Sequence, residues 1–263
     1  DEKGGRVGFI KIIRDKTREE EILDSKREFL DVAAHQLRTP INGMSWAFEA
    51  LEREIQDPNL KSISLEGKNL TARALKIIDD LLNAARIEGG KFGYKFKKIN
   101  VVKLVREMVG EAKPIVEGSG MKLTFMPPSN DIVIEGDEER LKMALGNIID
   151  NALKYNTENG SINVHIEQVQ SQPFVKISVE DTGIGIKEGE LKNLFKKFTR
   201  GEKASQAEPN GSGLGLYIAR NIIKNHGGDI EVESREGRGT SVSFTLPTDP
   251  NLVPRRETAY EAE

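Results

Sequence analysis

Apolar residues keep different rhythms in different parts of the chain. From about Thr17 to Ile55 they follow a helix seam. Leu23, Leu30 and Leu37 are seven apart, and Ile41, Met44, Phe48, Leu51 and Ile55 follow at threes and fours. The step from Leu37 to Ile41 is four residues where a strict heptad wants three, and Pro40 sits at it. The pattern therefore predicts a kink or phase shift there. Gln56-Asp57-Pro58-Asn59 signals a turn. A second helix is expected over about 60–88, with a seam of Ile63, Leu70, Ala74, Ile77, Leu81 and Ala84. Two antiparallel helices cannot cover both seams by themselves. The pattern thus predicts a four-helix bundle made by dimerisation of the chain.

Beyond Glu88-Gly89-Gly90-Lys91 the rhythm is mixed. Residues 101–120 read as an amphipathic helix broken near Pro114, and 122–126 and 131–136 as strands. Residues 137–155 form a strong helix pattern with Asp137 as its N-cap. After the turn signal Asn159-Gly160, Ile162, Val164 and Ile166 alternate with polar residues, and so do Val175, Ile177 and Val179. A helix over 214–225 closes at His226-Gly227-Gly228, and strands over 229–234 and 240–246 come last. The fold class expected is α+β: an antiparallel helical hairpin forming a dimeric four-helix bundle, followed by an α/β sandwich. The divisions expected are 1–15 as the end of an upstream unit, 16–88 as the hairpin and 89–95 as a linker. The sandwich follows over 96–248, with a flexible tail over 249–263.

Composition narrows the function classes. The chain has 263 residues, 39 basic and 42 acidic, for a net charge of −3. No overall basic field draws it to nucleic acid or to an anionic membrane. There is no cysteine, which excludes disulfides, thiolate metal sites and thiol nucleophiles. His35, His165 and His226 are too scattered for a zinc site. No apolar run is long enough to span a membrane. The first residue is Asp1 rather than Met, so the chain reads as a piece of a longer protein.

Candidate chemistry then falls at four places. If Leu30 and Leu37 take heptad position a, His35 takes f and faces solvent, beside Gln36, Arg38 and Thr39. An exposed, mostly neutral imidazole can act as a nucleophile, although a surface histidine with no role fits the same fact. On the 137–155 helix, Asn147, Asp150, Asn151 and Lys154 share one face. Two asparagines inside a helix are unusual, and their amide oxygens can ligate Mg²⁺ while Lys154 reaches a phosphate. An ordinary polar helix face is the alternative. Asp181 shares parity with Val175, Ile177 and Val179, so its carboxylate points inward and needs a partner, for which a ligand amino group would serve. Gly183 and Gly185 follow and allow backbone to approach a planar ligand. Finally, the polar segment 199–213 reads as a mobile loop that ends in Gly211-Ser212-Gly213-Leu214-Gly215-Leu216, a glycine-rich helix start suited to phosphate. It matches neither the dinucleotide fingerprint nor a P-loop.

The ordered set says more than its parts. FLDVAAHQLRTPI (29–41), NIIDNALKY (147–155), DTGIGI (181–186), LFKKFTR (194–200) and GSGLGL (211–216) occur in the order and spacing of the two-component sensor histidine kinases, which the chain resembles from about 15 to 247. The resemblance implies that His35 is the phosphoacceptor and that Asn147 and Asn151 are the asparagine-box amides, with Asn151 a direct Mg²⁺ ligand. It implies that Lys154 and Tyr155 contact phosphate and base, and that Asp181 binds the adenine amino group with Gly183 and Gly185 beside it. Phe198 and Arg200 match the end of the phenylalanine box and a basic phosphate contact. Gly211, Gly213 and Gly215 match the hinge of an ATP lid. It further implies ATP and Mg²⁺ as cofactors, a homodimer, a response regulator receiver domain as partner and a cytoplasmic location. The strand expected over 6–13 then resembles the exit of a sensor domain of the PAS type.

One position departs from the family pattern. The residue after the phosphoacceptor is usually Asp or Glu and acts as a base; here it is Gln36, which can orient the imidazole but cannot take a proton. Thr39 matches the position that places water for dephosphorylating the regulator. The reading is an ATP-dependent histidine kinase core. A nucleotide-binding scaffold with weak kinase activity, and a conformational ATPase of the gyrase and chaperone type, stand as rivals.

Overall fold

The computed structural model describes residues 17–90, 92–209 and 211–254. The strand expected over 6–13 and the last nine residues lie outside the described residues.

Helix α1 (Thr17–Glu54) and helix α2 (Pro58–Glu88) form the hairpin. The predicted turn supplies the cap of α2. The Asp57 carboxylate accepts from the N–H groups of Asn59 and Leu60, and Pro58 opens the helix, where no N–H is needed. The antiparallel register is fixed by the Ser64 hydroxyl donating to the Phe48 carbonyl at 2.8 Å and by an Arg38–Asp79 ion pair at 2.6 Å. The single seam read from the sequence is in fact two. Ala34, Ile41 and Phe48, seven apart, are buried or half-buried, and the Phe48 ring covers Gly67 of α2. Leu37, Met44 and Leu51, also seven apart, are exposed, as are Ile63, Leu70 and Ile77 on α2. The four-residue step from Leu37 to Ile41 is therefore a change of stripe. Helix α1 stays continuous through Pro40, whose missing N–H leaves the Gln36 carbonyl without its helical donor.

The second unit is a mixed sheet with helices on one face. Strands β1 (Lys97–Asn100) and β3 (Val133–Gly136) pair antiparallel as a small separate ribbon. The main sheet contains β2 (Lys122–Met126), β4 (Ser161–Gln168), β5 (Phe174–Asp181), β6 (Ile230–Ser234) and β7 (Thr240–Pro247), in the order β2-β4-β5-β7-β6. Only the β2–β4 pair is parallel. Alternate residues Ile162, Val164, Val175, Ile177, Val179 and Phe244 are buried in one core with α3 (Val101–Gly118), α4 (Glu138–Lys154) and α7 (Gly215–Asn225). Asp137 caps α4 by accepting from the Arg140 N–H.

Three expectations need correction. Helix α3 is not broken at Pro114; the carbonyl its ring orphans belongs to the exposed Gly110, which water can serve. The loop 199–213 contains a short helix, α6 (Glu202–Ala207), and another, α5 (Glu188–Leu191), precedes it. The tail does not fray at Thr248: a 3₁₀ turn over Pro250–Leu252 leads into the buried Val253. The 89–95 segment is also more than a tether. Phe92 is buried in the sandwich core under the Arg140 guanidinium, and Tyr94 and Phe96 pack on the His226 ring.

His226 is fully buried. Its Nε2 accepts from the Asp137 N–H, so Nδ1 carries the proton and donates to the Ile222 carbonyl. Burial holds its pKa below the usual value, so the ring is neutral and structural. His165 lies on the opposite sheet face, 3.8 Å from Glu180.

Candidate functional site

A cleft with about 1180 Å³ of open space lies at one end of the main sheet. Its floor is α4 and the ends of β5 and β7, through Ile148, Asn151, Ala152, Asp181 and Val242. One wall is the 199–216 segment. The other is α2 of the hairpin, through Lys76 and Asp80.

The strand period places Asp181. It pairs with Ile162 on β4 and Thr240 on β7 and points with Val179 toward the core side. Its Oδ1 accepts from the N–H groups of Gly183 (2.8 Å) and Thr240 (3.2 Å), while Oδ2 has no hydrogen-bond partner among the described residues. Burial pushes its pKa up to about 6, against the two backbone bonds that lower it. At neutral pH it is still mainly a carboxylate, with one free oxygen in an apolar cleft. That is an acceptor waiting for a neutral donor.

The two glycines beside it have a different reason from the one the sequence suggested. A Cβ on Gly183 would run into the Tyr155 carbonyl, and one on Gly185, at φ +65°, into the Arg235 carbonyl. They let protein backbone cross protein backbone, and Gly185 alone of the two lines the cleft.

Asn147 is buried at 6% exposure; its amide nitrogen donates to the Gly215 carbonyl at 3.3 Å, tying α4 to the start of α7. Its Oδ1 accepts from the Lys76 ammonium at 3.4 Å. Asn151 lines the cleft one turn on, and its side chain has no hydrogen-bond partner among the described residues. Lys154 donates to Asp150 at 2.9 Å and Tyr155 ends the helix. Among the described residues no three acidic, histidine or cysteine side chains cluster as a metal cage. A hard cation here would therefore take one or two protein oxygens and fill its shell with ligand oxygens and water, which suits Mg²⁺ bound with a phosphate.

Arg200 lines the cleft. Its guanidinium donates to the carbonyls of Pro209 (2.8 Å), Ala204 (3.0 Å) and Glu208, so it holds the 199–213 segment together from inside. Phe198 does not line the cleft. Its ring is 65% exposed, at φ +58°, and its backbone lies under Gly213. Gly211, Gly213 and Gly215 all border the cleft.

His35, Gln36 and Thr39 are exposed on α1, outside the cleft, and the Thr39 hydroxyl donates to the His35 carbonyl at 3.1 Å. His35 lies three residues before Arg38, which pairs with Asp79. In an antiparallel pair this puts His35 level with the turn of α2 that follows Asp80, a residue that lines the cleft. Lys76, Asp80, Ser212 and Thr240 were not singled out by sequence, because charged and hydroxyl residues on helix and strand ends are commonplace.

Comparison with known proteins agrees with both halves. Residues 25–90 match the family described as His Kinase A (phospho-acceptor) domain, and 136–250 match the Histidine kinase-, DNA gyrase B-, and HSP90-like ATPase family. Sensor histidine kinase WalK of Bacillus subtilis (strain 168) is 32% identical over 251 residues, 94% of this chain, which spans 40% of that relative. The catalytic domain of histidine kinase ThkA is 30% identical with a TM-score of 0.51, covering 59% of this chain and 98% of that one. ThkA in complex with the response regulator protein TrrA matches 90% of this chain and 66% of that one, at 26% identity and a TM-score of 0.61. ShkA full-length in complex with AMPPNP matches 84% of this chain and 45% of that one, at 25% identity and a TM-score of 0.66. With a phosphoacceptor-type hairpin and an ATPase-type sandwich matched in one chain, and a histidine kinase catalytic domain 30% identical to it, the chain belongs to the two-component sensor histidine kinases.

Proposed function

We propose that this chain is the catalytic core of an ATP-dependent protein-histidine kinase, with His35 as the phosphoacceptor and the cleft as the ATP site. The observation that carries the reading is the pairing, in one chain, of an exposed histidine with a cleft whose buried carboxylate, Asp181, keeps one oxygen free. The adenine amino group donates to that oxygen. Asn147, Asn151 and Lys154 face the phosphates, and Gly211, Gly213 and Gly215 let the lid close over them. Asn151 would hold Mg²⁺ in the cleft, and the ion would neutralise charge on the phosphate oxygens. An imidazole nitrogen of His35 attacks the γ-phosphorus, the bond to the bridging oxygen breaks and ADP leaves. The phosphoryl group then passes to an aspartate of a response regulator receiver domain, as the ThkA–TrrA likeness supports. Gln36 makes the first step slow and leaves Thr39 to position water for the reverse duty, dephosphorylation of the regulator. The reading places the chain in the cytoplasm, where ATP is available.

The working units are the hairpin (16–88), the ATP domain (96–248) and the segment between them. Phe92 and Tyr94 dock on the ATP domain, so the swing that brings ATP to His35 turns at Gly89-Gly90. The outward stripes Leu37–Met44–Leu51 and Ile63–Leu70–Ile77 close against a second copy as a four-helix homodimer.

Incubation with γ-labelled ATP tests the reading. Acid-labile label on wild type and none on His35→Ala is expected. Phosphate release that survives His35→Ala would point to a conformational ATPase instead, and bound ATP without label to a scaffold.

A further inference from the structure

Helix α2 puts two charged side chains into the cleft, and they occupy it in a particular way. Asp80 is 8% exposed and its Oδ2 accepts from the Ser212 hydroxyl at 2.9 Å. The same hydroxyl accepts from the Leu214 N–H at 3.3 Å, at the first turn of α7. A carboxylate from the hairpin is thus seated, through one hydroxyl, at the amino end of a helix, where free N–H groups and the helix dipole favour an anion. One turn back, the Lys76 ammonium stands 3.4 Å from Asn147 Oδ1 and 3.3 Å from the Asp150 carboxylate. Those are oxygens that a hard cation would seek. Four residues apart on one helix face, the pair sets an anion where a phosphate would lie and a cation where its counter-ion would lie.

We propose that Lys76 and Asp80 form an internal mimic of a cation–phosphate pair, a latch by which the hairpin occupies the nucleotide site and which Mg²⁺ and nucleotide must displace. The proposal rests on the reading of the cleft as a nucleotide site. Two outer contacts join the same surfaces, Arg73 with Glu208 at 4.0 Å and Lys197 with Glu88. Burial raises the Asp80 pKa despite Ser212 and Lys76, so its partners only partly replace the water it has lost. A contact held that way yields to a ligand with more charge and more acceptors. Nucleotide binding and release of α2 are then two sides of one equilibrium.

The full chain with Asp80→Asn, Lys76→Met and both changes is titrated with a fluorescent non-hydrolysable ATP analogue and Mg²⁺. Each single variant is expected to bind tighter than wild type, by about tenfold, the size of a lost hydrogen bond to a charged group. Unchanged or weaker binding by Asp80→Asn overturns the latch, and weaker binding by Lys76→Met would make Lys76 a phosphate contact. Amide hydrogen exchange without nucleotide is the second readout. Residues 212–216 should exchange faster in Asp80→Asn than in wild type, and equal rates contradict the proposal. If wild type binds no nucleotide, the functional reading fails while the exchange comparison still decides whether Asp80 holds the hinge.

Discussion

The two halves of the chain treat apolar side chains in opposite ways. In the sandwich, Leu145, Ile148, Ile218 and Ile222 are wholly enclosed between helices and sheet. In the hairpin, one stripe is covered and the other stands open, with Ile63 at 62% and Leu70 at 52% exposure. The sandwich is a finished folding unit that brings its own core to the cleft. The hairpin leaves one stripe uncovered, and it borrows the sandwich for part of its cover, as at Ala84. Under the proposed function, the ATP domain brings its own core and the phosphoacceptor sits on the half with the open stripe.

Substitutions in the two halves should therefore have different signatures. Leu145→Ala removes a fully buried side chain and is expected to cost about 2–5 kcal/mol, read by thermal or denaturant unfolding. Leu70→Ala is expected to leave the sandwich transition in place and to shift the chain toward monomer in light scattering. A large loss of folding stability instead would mean that the open stripe belongs to the folded core. Within the hairpin, Gln36→Glu supplies a base beside His35 and should speed autophosphorylation by about tenfold or more, well within the range of general-base effects. An unchanged or lower rate shows that Gln36 is not limiting. Within the sandwich, Asp181→Asn exchanges an acceptor for a mixed group and is expected to weaken nucleotide binding by about tenfold. Because the carboxylate titrates at about 6, wild-type affinity should also fall as pH drops through 6, a dependence that Asp181→Asn loses. The smallest effect concerns His226. Its folded pKa is depressed by burial, so its contribution is present above the unfolded value near 6.5 and is lost as pH falls below it. Asp181, with its raised pKa, acts in the opposite sense, so the test compares wild type with His226→Phe across pH 5–7, where the variant's stability should fall less. An identical slope would contradict a neutral buried role for His226.

Periodicity carried most of the architecture. Strand alternation put Asp181 on the core side, and heptad spacing marked both helices of the hairpin. The errors have physical causes. Leu37 and Ile41 look like one slipped seam because two stripes on one helix interleave at threes and fours. Pro40 reads as a kink or phase shift and Pro114 as a break, yet both helices run on and each proline costs only one carbonyl its donor. Gly183 and Gly185 signalled close approach correctly, but the backbone approached is the chain's own. Arg200 is a basic residue near a phosphate motif whose two terminal nitrogens donate to lid carbonyls, while its buried Nε has no partner among the described residues. Lys76 and Asp80 left no trace in the pattern, since a charged pair four apart is the commonest thing on a helix surface. Only the packing of α2 against α7 gives them meaning.

The most direct test of the account is a time course of acid-labile phosphate from γ-labelled ATP, followed side by side on wild type, His35→Ala and Asp181→Asn. The account predicts label that grows on wild type, is absent on His35→Ala and is slowed at limiting ATP on Asp181→Asn. Label on His35→Ala at the wild-type rate would contradict it.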